Sequence, residues 1–63
     1  MITSSEAIKT ITNKFSKKGF RVLYCMESLQ EVEIQFISKS KAVFVKIFLN
    51  EYRLVKNIFI QGV

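Results

Sequence analysis

One stretch of this 63-residue chain carries a helical period framed by start and stop signals. Thr3, followed three residues later by Glu6, has the form of a capping box, in which each side chain satisfies a backbone donor that the first helical turn leaves orphaned. Ile8, Ile11 and Phe15 then fall on one apolar stripe. Lys14, Lys17 and Lys18 complement the negative end of the helix dipole, and Gly19 can take the left-handed conformation that closes a helix. Together these signals predict a helix from about Ser4 to Lys18.

From Phe20 onward the period changes to two. "EVEIQFIS" sets Val32, Ile34 and Phe36 against Glu31, Glu33 and Gln35, the pattern of a half-buried strand. "KAVFVKIFLN" places Val43, Val45, Ile47 and Leu49 on one side and Phe44, Lys46 and Phe48 on the other. "FRVLYCMES" alternates as well. The last segment, residues 53–61, is ambiguous, because Leu49, Tyr52, Val55 and Phe59 also lie roughly one or two helical turns apart; the β-branched Val55, Ile58 and Ile60 favour a strand. Connections are short and polar, and no proline interrupts them. The expected fold is α+β, a single domain over residues 1–63: one N-terminal helix packed on a four-stranded antiparallel meander (α-β-β-β-β).

One helix can cover only one face of such a sheet. Four strands at a spacing of ~4.8 Å make a sheet about 19 Å wide, and a helix is only about 10 Å across. Strict alternation assigns Val22, Tyr24, Met26, Val32, Ile34, Phe36, Val43, Val45, Ile47, Leu49, Ile58 and Ile60 to the covered face, beneath Ile8, Ile11 and Phe15. Leu23, Cys25, Ile37, Phe44, Phe48, Val55 and Phe59 then fall on the outer face, among Arg21, Glu31, Glu33 and Lys46. The sequence holds no second helix to cover them, so these aromatics are expected to meet another molecule or to be enclosed by strong curling of the sheet into a small barrel.

Several chemistries are excluded by residue type. Cys25 is the only cysteine and there is no histidine, so neither an internal disulfide nor a structural zinc site can brace so small a domain. Association is the remaining device for stabilising it. Without His or Asp, and with five glutamates scattered along the chain, no general acid–base pair is suggested. Cys25 lacks an imidazole to activate it. Gly19 and Gly62 are the only glycines, too few for a phosphate-cradling loop. The chain is expected to be non-enzymatic, without metal, cofactor or small-molecule substrate.

Net charge is +5, arranged as basic, acidic and basic blocks: Glu27, Glu31 and Glu33 are the only charges over residues 22–37. A basic balance fits an acidic protein surface or nucleic acid. Two binding modes follow. In the first, a protein partner or a second copy docks on the outer sheet face or an edge strand, with Phe44, Phe48 and Phe59 as anchors. In the second, single-stranded nucleic acid stacks on Phe44 and Phe48 while Lys39, Lys41, Lys46 and Arg53 contact phosphates. Glu31 and Glu33 beside Lys46 oppose the second mode, and no recognised nucleic-acid-binding pattern is present.

No sequence motif assigns a family. In outline, a single helix on an antiparallel sheet is similar to several small phage-encoded inhibitors of host defence systems. That likeness is architectural and ranks a protein-directed inhibitor or regulator ahead of a nucleic-acid binder. Phe, Tyr, Met, Ile, Asn and Lys total 29 residues against 6 for Gly, Ala, Arg and Pro, a codon bias that fits an AT-rich source such as a phage or plasmid. The polar start "TSSE" and the lack of a long apolar run predict a chain without a signal peptide or membrane span. The lone thiol fits the cytoplasm, that of the host for a phage protein.

Overall fold

The structure, a computed structural model, describes residues 2–62. A helix α1 (Ser4–Ser16) is followed by four strands, β1 (Arg21–Glu27), β2 (Glu31–Ile37), β3 (Ala42–Leu49) and β4 (Val55–Gly62). They form one open antiparallel sheet in the order β1-β2-β3-β4, the expected α-β-β-β-β meander. The ambiguous last segment is a strand.

Helix α1 begins as its sequence dictates. Thr3 Oγ1 accepts the Glu6 N–H at 3.2 Å, and the Glu6 carboxylate accepts the Thr3 N–H at 3.1 Å and its hydroxyl at 3.0 Å. These bonds hold the Glu6 carboxyl below the ordinary carboxylate range, the backbone donor contributing most. At the other end the helix closes at Lys17, slightly before the expected Lys18, and Gly19 adopts φ +88° in the turn into β1.

The core lies between α1 and the central strands. Ala7, Ile11 and Phe15 pack on Val32, Ile34, Phe36, Val43, Val45, Ile47 and Leu49, all buried. Phe15 stacks on Phe36 with ring centroids 4.7 Å apart and meets the edge of Phe20 at 5.6 Å. The helix thus lies over β2 and β3, which supply every buried residue of the sheet. It therefore shields the middle of the sheet and leaves the core-facing Ile58 and Ile60 of β4 37% and 54% exposed.

Two β-bulges overturn part of the face assignment. In β1, Val22 faces Phe36 but Tyr24 faces Gln35, so Leu23 is an extra residue. Beyond it every side chain changes face. Tyr24 and Met26 consequently lie on the outer face, and Cys25 lies opposite the buried Ile34 on the core side, the reverse of strict alternation. In β4, Phe48 faces Asn57 whereas Leu49 faces Val55, leaving Lys56 as the extra residue. Val55 thereby turns inward and packs against the core, contrary to its assignment to the outer face. Cys25 remains exposed at the sheet margin, where desolvation, aided by the nearby Glu27, raises its thiol pKa and disfavours the reactive thiolate.

The β3–β4 turn is organised by Asn50. Its side-chain oxygen accepts the N–H groups of Tyr52 and Leu54 at 2.9 and 3.0 Å. Within this turn Arg53 takes φ +61°. The chain start is tied to the same place: the Val55 N–H donates to the Ile2 carbonyl at 2.9 Å, and Thr3 bridges Leu54.

Candidate functional site

No described element covers the outer face, and strand register arranges its side chains in rows. Across its middle run Met26, Glu33, Lys46 and Phe59; above them lie Glu31, Phe48 and Asn57, and below them Tyr24, Gln35, Phe44 and Gln61. The three phenylalanines are thus interleaved with polar groups. Phe44 and Phe48 are half-buried by their neighbours, whereas Phe59, on the edge strand, is 58% exposed and Met26 62%.

The charged groups at the middle of this face are partnered with one another. Lys46 Nζ lies 3.7 Å from both Glu31 Oε1 and Glu33 Oε1. Tyr24 donates its hydroxyl to Glu33 Oε2 at 2.8 Å, and that bond raises the phenol pKa because it favours the protonated form. The sequence had suggested that the two glutamates would repel a phosphate near Lys46; the geometry adds that they engage the lysine directly.

The remaining basic candidates lie at opposite ends of the sheet. Arg53 sits at the β3–β4 turn, where its Nη1 donates to the carbonyls of Ser28 and Leu29 at 3.0 and 3.1 Å and Nη2 lies 3.6 Å from Glu27. It clamps two turns together. Lys39 and Lys41 occupy the β2–β3 turn at the far end, away from both Arg53 and Lys46. The fold therefore splits the seven residues singled out from sequence. Phe44, Lys46, Phe48 and Phe59 share the outer face, while Arg53 and the Lys39–Lys41 pair stand apart.

The far end holds a grouping that sequence inspection missed. The end of α1 and the β2–β3 turn converge there, bringing Lys14, Lys17, Lys18, Arg21, Lys39 and Lys41 to one pole of the molecule. Arg21, Gly19 and Lys39 line one shallow cleft of about 230 Å³. None of the five glutamates lies at this pole. The structure measures 37 × 17 × 15 Å, and its longest dimension follows the strands, so the basic pole and the glutamate-bearing half are widely separated. The only sequence signal was the block pattern of charge, which does not reveal which blocks meet.

Among the described residues, no three His, Cys, Asp or Glu side chains are grouped to hold a metal ion, and no helix is long and apolar enough to cross a membrane. No protein-family model, curated protein or solved structure matches the chain.

Proposed function

We propose that this chain is a small non-catalytic protein-binding module, an inhibitor or regulator that engages its partner through the outer sheet face. The reading is carried by the partnering of Lys46 with Glu31 and Glu33 at 3.7 Å. With the central cation neutralised, the face offers a new partner mainly apolar contact, from Phe44, Phe48, Phe59 and Met26. A phosphate chain crossing it would compete with two carboxylates for one ammonium group. A protein surface with apolar knobs needs no such exchange, and aromatic side chains are the usual anchors of protein interfaces.

A second reading, single-stranded nucleic-acid binding, is favoured by the basic pole, where Arg21, Lys39 and Lys41 gather without any carboxylate. The two are separated by affinity capture from source-cell lysate, with and without nuclease, using the wild type and Phe44→Lys/Phe48→Glu. Far-UV circular dichroism and thermal melting must first establish that the variant is folded. The protein-directed reading expects a partner that survives nuclease and is bound about 30-fold or more weakly by the variant, equivalent to the loss of ~2 kcal/mol at a hot spot. Capture abolished by nuclease, together with oligonucleotide binding that weakens steeply with salt, would reverse the assignment.

A further inference from the structure

Strand β4 is the terminal strand of the sheet. Beyond Val55, whose N–H is taken by Ile2, no described segment pairs with its outer side. Edge strands usually carry some guard against pairing with another chain, such as a proline, an inward charge or a covering loop. Here the one charge, Lys56, stands at the start of the strand. Ile58, Phe59 and Ile60 follow it, 37%, 58% and 54% exposed, with the isoleucines on the core side and the phenylalanine on the outer face. The Ile58 N–H donates to the Asn57 side chain at 2.9 Å, so it turns away from β3, and antiparallel alternation turns Ile60 the same way.

We propose that this edge is occupied by a second copy of the chain, joined β4 to β4 about a two-fold axis at Phe59, so that two four-stranded sheets become one continuous sheet. Register favours a second copy. With Phe59 opposite Phe59, Ile58 faces Ile60 twice and the outward backbone groups of those residues meet, the Ile58 N–H exchanging its Asn57 side-chain acceptor for the partner's carbonyl. Both core faces stay on the same side of the joined sheet. Lys56 falls opposite Gly62, which has no side chain, instead of opposite another cation.

Charge favours the same arrangement. Antiparallel joining sets the basic pole of each protomer beside the glutamate-bearing half of the other, whereas parallel joining would set the two basic poles side by side. A single strand pair lies at the small end of interface sizes, so the dimer is reversible and concentration-dependent. This inference goes beyond the outer-face reading and uses a different surface, apart from Phe59, which belongs to both.

The test places single cysteines in a Cys25→Ala background. Directly opposed residues of antiparallel strands have Cα atoms about 4.5–5.5 Å apart, within the ~4.4–6.8 Å that a disulfide spans. Under mild oxidation Phe59→Cys should give a covalent dimer. Ile58→Cys and Ile60→Cys should each stay monomeric alone and cross-link when mixed. Sedimentation of the otherwise unmodified chain from about 1 μM to about 1 mM should show a monomer–dimer equilibrium, with Kd raised about tenfold or more by Ile58→Lys or by the more exposed Ile60→Lys.

A monomer throughout that range would overturn the proposal. So would cross-linking at positions 58 and 60 alone with none at 59. Partner capture that persists in folded Ile58→Lys would leave the outer-face function standing whichever way the dimer result falls.

Discussion

Replacing Phe15 tests what fastens the helix to the sheet. Its ring is 9% exposed, stacks on Phe36 at 4.7 Å with an interplanar angle of 27°, and meets Phe20 edge-on at 5.6 Å. Phe15→Ala removes both the burial and the ring contacts, a loss of about 3–5 kcal/mol for a core phenylalanine. At ~0.05–0.15 kcal/mol per residue, a 63-residue chain has only about 3–9 kcal/mol to lose, so this variant should be mostly unfolded or close to it. Phe15→Leu keeps most of the apolar volume and gives up two aromatic pairs, each contributing about 0.5–1.5 kcal/mol beyond burial. It should therefore cost about 1–3 kcal/mol. Urea unfolding followed by far-UV circular dichroism measures both. A double-mutant cycle with Phe36→Leu should return a coupling of about 0.5–1.5 kcal/mol. Wild-type stability in Phe15→Ala, or zero coupling to Phe36, would refute the packing of α1 described above.

Two further predictions concern local geometry. Arg53→Ala and Arg53→Gly both lose the clamp on Ser28 and Leu29, but only glycine accepts φ +61° without strain, so the glycine variant should be the more stable of the two by about 1 kcal/mol; equal unfolding midpoints would contradict the strained turn. Glu6 has its pKa lowered in the folded state, so its contribution is present above the unfolded carboxylate value of about 4.3 and is lost as pH falls through the lower folded value. Glu6→Gln should thus be less stable than wild type at neutral pH and converge on it in acid, and a difference that is independent of pH would exclude the carboxylate as its cause.

Where local signals act alone, the sequence was readable. The Thr3–Glu6 capping box, the turn at Gly19 and the alternation of β2 and β3 each arise from residues close in the chain, and each is found in place. Tyr24, Met26, Cys25 and Val55 were misassigned for one shared reason. A bulge is decided by how two strands settle against each other, and neither Leu23 nor Lys56 carries the glycine that would have marked one. Phe44, Phe48 and Phe59 were rightly grouped because β3 alternates without interruption and β4 does so beyond its bulge. The basic pole stayed hidden for a different reason: Arg21 and Lys39 become neighbours only when β1 and β2 pair, and no local pattern reports that.

The tie between the chain start and the last strand also sets an order in time. The three hairpins close through turns of only three to five residues, and such units form within about 1–10 μs. The Thr3–Leu54 bridge must instead bring together positions at nearly opposite ends of the chain, with a larger loop-closure entropy and no help from a neighbouring turn. It should form after the hairpins and open before them. In native-state hydrogen exchange, the Val55 amide should lose protection while the amides that join β2 to β3 remain slow. Each such opening would uncover the start of β4 and lengthen its free edge towards the β3–β4 turn, so this edge is longest just before folding is complete and during brief excursions from the native state.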